Sequence, residues 1–361
     1  MLIHALMFML GLVALIFGAE LLVRGASRLA LRVGISPLVV GLTVVAFGTS
    51  APEMAVSVGA ALDGKADLAV GNVVGSNICN VLLILGLCAL ITPLSVANQI
   101  IRQEVPIMIG ASILLIVLAF DGLLSYADSA LLFALIIAYT WFLIVQSRRA
   151  TLATQEEGSS DMPAELSGWR NHWAAHVAYV VAGLVALVIG AGWLVNAAVA
   201  VAQVLGVSDL VIGLTVVAVG TSMPEIATSL VAALRGQRDI AVGNVVGSNI
   251  FNILAVLGLT GLVADGGVAV STAARNFDLW VMLAVAFACL PVMMSRTIQR
   301  WEGGVFLAYY AAYTAWLVLN AQHHAALPTF SMVMLSYVLP LTVITLMVSM
   351  LRCGNGHTAQ T

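Results

Sequence analysis

LVVGLTVVAFGTSAPEMAVSVGAAL, residues 38–62, is apolar enough to cross a bilayer, yet a proline and a glutamate stand side by side in its interior. Pro52 has no N–H for the carbonyl of Gly48 and its ring crowds that carbonyl, so a helix through this stretch must kink or break. The carbonyls freed by a break are costly against lipid and tolerable where they line a wet cavity or meet a cation. Glu53 follows at once, and an ionised acid deep in a membrane costs a few kcal/mol or more unless it faces a partner or an ion. The same anomaly returns 172 residues on, as LVIGLTVVAVGTSMPEIATSLVAAL at 210–234.

The rest of the chain places both stretches in a membrane. Of 361 residues, 61% are hydrophobic and 9% charged, against about 25% charged in an average soluble domain. The mean hydropathy of +1.07 excludes a soluble globule, whose surface needs polar cover. The net charge of -3 suggests no polyanionic partner and no nucleic acid. Cys79, Cys88, Cys289 and Cys353 show no metal-type spacing and are expected to be buried thiols. The N-terminal run lacks a basic leader and a cleavage site, and it reads as the first membrane helix.

Apolar runs long enough to span lie near 5–23, 38–62, 68–92, 105–120, 128–147, 173–205, 210–234, 240–263, 278–295, 301–320 and 329–351. The polar stretch 148–172 reads as a connecting loop between two halves. With the N-terminus outside, Arg24, Arg28, Arg32, Arg102, Arg148, Arg149, Arg170, Arg235, Arg238, Arg296, Arg300 and Arg352 fall inside, and only Lys65 and Arg275 fall outside. That asymmetry predicts a multi-pass protein of the cell membrane with its central loop in the cytoplasm.

Between 11–87 and 183–259 about 48 of 77 aligned positions are identical, without a gap. Each unit holds five spans. Five is odd, so the second unit must enter from the opposite side. The expected fold is an all-α polytopic membrane protein built as an inverted 5+5 repeat. Its parts are a first half at 1–147 (motif 41–87), the linker 148–172, a second half at 173–320 (motif 213–259), and an extra C-terminal helix and tail at 321–361. Such repeats build secondary transporters with the ion site near the midplane where the halves meet.

The motif residues concentrate oxygen. Thr49 and Glu53 are four residues apart, on one face of a continuous helix, and Ser50 neighbours them. GNVVGSNICN at 71–80 sets Ser76 and Asn80 on one face, and its Gly71 and Gly75 form a GxxxG that lets another helix approach. The second copy supplies Thr221, Ser222, Glu225, Ser248 and Asn252. Carboxylates, amides and hydroxyls without soft ligands suit a hard cation. Calcium takes six to eight oxygens at about 2.3–2.6 Å, and two carboxylates balance its charge. A single kinked helix, one small-residue pair or one intramembrane acid is ordinarily packing. Two copies at a fixed offset, with no basic residue near the middle of the spans, argue for a site.

GTSAPE with GNVVGSNICN, then GTSMPE with GNVVGSNIFN, resemble the two alpha-repeats of the cation/calcium antiporters, and most of all the prokaryotic sodium/calcium exchangers. The resemblance covers about residues 5 to 320. It implies a ten-helix core and exchange of Na⁺ for Ca²⁺ by alternating access, with the first and sixth helices sliding. Matched position by position, it implies carboxylate ligands Glu53 and Glu225 and hydroxyl ligands Thr49, Ser50, Ser76, Thr221, Ser222 and Ser248. It also implies a polar pair, Asn80 and Asn252, and backbone oxygens from Ala46 and Ala218. Potassium-dependent relatives carry Asp in the second repeat where Asn252 stands, which argues against K⁺ use. No cofactor is expected; Ca²⁺ and Na⁺ are cargo, the bilayer is the surrounding partner, and nothing in the repeat requires a second subunit.

Other residues invite plainer readings. Glu20 has Gly192 as its repeat partner and is expected to bond locally or to a neighbouring helix. His172 and His176 lack a third ligand and are assigned to the interface; His323 and His324 fall in a loop. Asp121, Asp128 and Asp265 are taken as solvated outer-loop acids. An H⁺-driven antiporter is the close rival, since the two buried acids can carry protons. A passive channel is a rival from another class, opposed by the inverted repeat within one chain. No HExxH, GxSxG or GxxxxGK[ST] motif points to an enzyme or an ATP-driven pump.

Overall fold

A computed structural model describes residues 2–65, 67–156, 173–204 and 218–345. In chain order the helices are α1 (Leu2–Val33), α2 (Pro37–Thr49), α3 (Ala51–Leu62), α4 (Leu68–Ile91), α5 (Ile100–Leu118) and α6 (Tyr126–Glu156). The second half gives α7 (Trp173–Val204), α8 (Ala218–Thr221), α9 (Met223–Leu234), α10 (Arg238–Val263), α11 (Ala274–Met294) and α12 (Arg300–Ala321), and α13 (Leu327–Thr345) follows. Among the described residues nine helices are long and apolar enough to span singly, and α2 with α3 makes one bent span. The protein is an all-α polytopic membrane protein. The expected span at 210–234 is described only from Ala218, and the stretch 157–172 of the expected linker lies outside the described residues. α6 continues to Glu156, into the expected linker, because ATLATQE carries no helix breaker to end it.

Repeat-equivalent helices α1 and α7 run antiparallel, which makes the inversion visible. Gly11, Gly18 and Gly25, seven residues apart, face Gly190, Gly183 and His176 backbone to backbone; a Cβ at Gly18 would lie 2.8 Å from Gly183 O. Two short antiparallel ladders join the halves. Leu94–Ser95 pairs with Thr297–Ile298, and Leu123–Leu124 pairs with Val268–Ala269. Each ladder is the image of the other at an offset of 174, and they flank opposite ends of α5. The ungapped offset of 172 therefore gains two residues after position 87.

The centre is α10, all of whose apolar window is buried, while α13 buries none of its own. Gly243 and Gly247 let α2 cross α10: a Cβ at Gly247 would meet Leu42 O at 2.8 Å and Ala46 Cβ at 2.9 Å. At the equivalent Gly71 and Gly75 a Cβ meets nothing within 4 Å among the described residues. The segment that would be expected there by symmetry, 210–217, lies outside them.

Two acids, one buried and one partly buried, escaped the sequence reading. Glu104 is fully buried and accepts hydrogen bonds from Tyr139 Oη (2.7 Å), Gln99 Nε2 (2.9 Å) and Gln103 Nε2 (2.7 Å). At the 174 offset, Tyr313 Oη donates to Asp278 at 3.0 Å. Each acid closes a widened π-helical turn, Ile100–Glu104 or Ala274–Asp278, and pins it to the span that follows in sequence. Removing one donor from a buried carboxylate costs about 1–3 kcal/mol. Tyr139→Phe is expected to lower the melting temperature by several degrees, and Tyr313→Phe by less, because Asp278 is only partly buried. Thermal melts of the purified variants check the order; equal shifts would count against it.

Candidate cation site

The break at Pro52 falls where the motif demands it. The chain bends by 42° between Pro37–Thr49 and Ala51–Leu62, with Ser50 at φ −78°, ψ 3°. Ser222 repeats this at φ −85°, ψ 8° ahead of Met223–Leu234. The i, i+4 reading of Thr49 and Glu53 therefore fails: Pro52 puts them on separate helices, and the bend rather than a shared face brings their oxygens to one place. Asn80 and Asn252 each open a π-helical turn, Asn80–Leu85 and Asn252–Leu257, an irregularity frequent at functional sites.

The two motifs reach into each other. Ser222 Oγ donates to Glu53 Oε1 at 3.3 Å, and its equivalent Ser50 Oγ donates to Glu225 Oε1 at 3.5 Å. Thr49 Oγ1 donates to Asn244 Oδ1 at 3.1 Å and meets Ser248 Oγ at 3.5 Å. Asn244 is itself held by donating to Ser229 Oγ at 2.9 Å, as Asn72 donates to Ser57 Oγ at 3.0 Å. Ser76 faces Glu53. The Ala46 carbonyl accepts from Ser50 N at 3.0 Å and from Thr49 Oγ1 at 3.4 Å, so its backbone bond survives the break. Thr221 ends α8, which starts at Ala218.

Glu53 and Glu225 have no exposure at all, and among the described residues neither forms an ion pair; the only acid that does is Glu20. One oxygen of each stays unpartnered. The buried side-chain oxygens without any hydrogen bond include Glu53 Oε2, Glu225 Oε2, Ser76 Oγ, Asn80 Oδ1 and Asn252 Oδ1, all from the two motifs. Buried polar groups are ordinarily satisfied, and buried charges are paired or coordinate metals. These orphaned acceptors, which include two carboxylate oxygens, leave a place for a cation. No group of three or more His, Cys, Asp or Glu assembles among the described residues, so beyond the two glutamates the oxygens there are hydroxyls, amides and carbonyls.

The sequence reading missed Asn77, Asn249, Asn72 and Asn244, although each stands inside the quoted motif copies; the signal was their recurrence at the 172 offset. Elsewhere, Glu20 pairs with Arg24 on its own helix and with Arg235 beyond α9, as a local partner was expected. His176 is buried in the protein, in the first turn of α7, where Gly25 of α1 approaches its backbone, and His172 lies outside the described residues. Asp121 and Asp128 serve their own turns, accepting from Leu123 N and Ser125 N. Cys79, Cys88 and Cys289 are buried free thiols.

Two inverted repeats that bring a buried set of oxygens together are the build of a membrane transporter. Two stretches, 3–145 and 175–319, match the family described as "Sodium/calcium exchanger protein". The chain is 40% identical over 317 residues to a putative antiporter, CaxA, of Alkalimonas amylolytica, covering 87% of this chain and 98% of that one. It is 35% identical over 342 residues to the sodium/calcium exchanger MaX1 of Methanosarcina acetivorans, covering 86% and 97%. A solved sodium-calcium exchanger, soaked with zero Na⁺ and Ca²⁺, superposes with a TM-score of 0.74 at 30% identity, covering 88% of this chain and 99% of that one. The chain belongs to the sodium/calcium exchanger family.

Proposed function

We propose that the protein is a secondary antiporter that exchanges Na⁺ for Ca²⁺ across the cell membrane by alternating access. The observation that carries this reading is the set of buried, unpartnered motif oxygens around two carboxylates that have no basic partner among the described residues. Two carboxylates neutralise one Ca²⁺, which accepts six to eight oxygens in flexible geometry; Na⁺ uses the same oxygens in smaller groups. The ligands are Glu53, Glu225, Thr49, Ser50, Ser76, Asn80, Thr221, Ser222, Ser248 and Asn252, with backbone oxygens of Ala46 and Ala218. Full burial of both acids means that no ion reaches them without a movement. The backbone-to-backbone contact of α1 with α7 is suited to that movement, since glycine faces offer few interlocking side chains to a sliding pair. That MaX1 and the solved structural neighbour are both sodium/calcium exchangers supports Na⁺ and Ca²⁺ as the pair. The arginine asymmetry supports an N-terminus outside and a linker in the cytoplasm.

The test is Ca²⁺ uptake into proteoliposomes with outward Na⁺, K⁺ or H⁺ gradients compared. Uptake driven by Na⁺ alone is the expected result. Uptake driven by H⁺ alone keeps the antiporter and changes its coupling ion, the two buried acids then carrying protons. Uptake indifferent to every counter-ion gradient contradicts antiport and favours a channel.

A further inference from the structure

We propose that Asn77 and Asn249 are positioning residues that force a neutral amide at positions 252 and 80 and aim its oxygen into the cation site. The proposal rests on the antiporter reading above and deepens it. A thioether sulfur carries no hydrogen and only accepts. Met282 Sδ on α11 lies 3.5 Å from Asn77 Nδ2, and the Asn249 carbonyl, another pure acceptor, lies 3.2 Å from the same nitrogen. Two acceptors on one side leave Asn77 a single way round, with Oδ1 turned away from them. There it receives Asn252 Nδ2 at 3.1 Å. The NH₂ of Asn252 is thereby committed, and its Oδ1 is left buried and unpartnered.

The second repeat builds the mirror copy. Met108 Sδ on α5 takes Asn249 Nδ2 at 3.3 Å, and Asn249 Oδ1 receives Asn80 Nδ2 at 3.0 Å. Asn80 Oδ1 is again left over. All six side chains are buried to within 2%. The relay sulfurs recur at an offset of 174 and the amides at 172, so both halves carry one device. Each relay runs from a sulfur, through one asparagine, to an asparagine of the opposite repeat, and so links a peripheral helix to the site.

A carboxylate fails in this arrangement. An aspartate at position 252 would set its oxygens against Asn77 Oδ1, and Asn77 cannot turn over, because its own Oδ1 would then face Met282 Sδ and the Asn249 carbonyl. The relay thus holds the site at two carboxylates, the charge of one Ca²⁺, and keeps a third acid out. A donor in place of the sulfur removes one of the two acceptors that oppose the turn and leaves the Asn249 carbonyl as the other. A glutamine at position 282 is close in length to Met and supplies an NH₂ to a reversed Asn77, which can then donate to the new carboxylate.

The experiment is Na⁺-driven Ca²⁺ uptake in proteoliposomes for the wild type, Asn77→Leu, Met282→Leu, Asn252→Asp and the pair Asn252→Asp/Met282→Gln, with Glu53→Gln as control. Asn77→Leu is expected to raise KM for Ca²⁺ about tenfold with kcat within about threefold, as loss of a supporting shell does. Met282→Leu keeps the volume, removes the acceptor and should raise KM in the same direction. Asn252→Asp is expected to lose about tenfold in kcat/KM, and adding Met282→Gln should recover part of it, since the Asn249 carbonyl still opposes the reversed amide. A merely structural role gives no such rescue. Unchanged KM in Asn77→Leu and Met282→Leu, or an Asn252→Asp variant as active as the wild type or no better with Met282→Gln, overturns the relay while leaving the antiporter reading intact. A wild type that moves no Ca²⁺, or a Glu53→Gln control that transports normally, overturns both.

Discussion

Glu53→Gln and Glu225→Gln are each expected to cut Na⁺-driven Ca²⁺ uptake at least about a hundredfold, because breaking a buried charge set by removing one member costs about 3–5 kcal/mol. The substitution keeps the shape of the side chain and one oxygen. What changes is charge and one acceptor. Each glutamate gives one oxygen to a hydroxyl of the opposite repeat and keeps the other buried without a partner. With an amide there, a donor NH₂ points where the cation needs an acceptor, and the site carries one negative charge against two positive ones. The empty protein should respond in the opposite sense. Two fully buried carboxylates without a basic partner among the described residues repel each other and are poorly solvated, so neutralising one relieves the ion-free state. In chelator, either variant is expected to melt no lower than the wild type, and added Ca²⁺ should raise the melting temperature of the wild type only. A variant that melts lower in chelator would assign the glutamate to holding the fold instead of the ion.

Gly183→Ala is expected to lower the melting temperature by several degrees and to cut transport about tenfold, while Gly192→Ala on the same helix leaves both unchanged or melts slightly higher. Alanine is the better helix former at both positions by about 1 kcal/mol. The difference is what the new methyl meets. At Gly183 it would lie 2.6 Å from Leu22 N and 2.7 Å from Gly18 O, backbone atoms that cannot rotate away, so α1 and α7 must move apart. At Gly192 nothing among the described residues lies within 4 Å. Prising the helices apart loses contacts along the ladder from Gly11 to Gly25 and roughens the face on which the pair would slide. Thermal melts and uptake rates of the two variants, measured side by side, check this; equal behaviour would remove the glycine ladder from both the stability and the movement.

The architecture was legible because it is written twice. The repeat at 172, the odd number of spans per unit and the Pro–Glu pairs need only the one-dimensional pattern, and the antiparallel α1 and α7 bear out the inversion. The gathering of Glu53, Glu225, Ser50 and Ser222 was legible for the same reason. Less of the local geometry could be read. A helix-face argument assumes an unbroken helix, so it joined Thr49 to Glu53 across the very proline that separates them. The π-helical turns at Asn80 and Asn252 leave no residue signature, since their widened hydrogen bonds are backbone bonds. Glu104 lay at the edge of a short apolar run with a neighbouring Arg102, and nothing local showed that Tyr139 would come to it from the next span. Asn77 and Asn249 were in plain sight, but their task depends on two methionine sulfurs that ordinary pattern reading counts only as grease.

The most direct test of the cation site is equilibrium binding of radioactive Ca²⁺ to the purified protein, titrated with Na⁺, for the wild type and Glu225→Gln. The expected result is saturable binding of one Ca²⁺ per chain that Na⁺ displaces fully and that the variant lacks. Binding that Na⁺ leaves untouched, or that persists in Glu225→Gln, would contradict a shared site built from the oxygens of the two repeats.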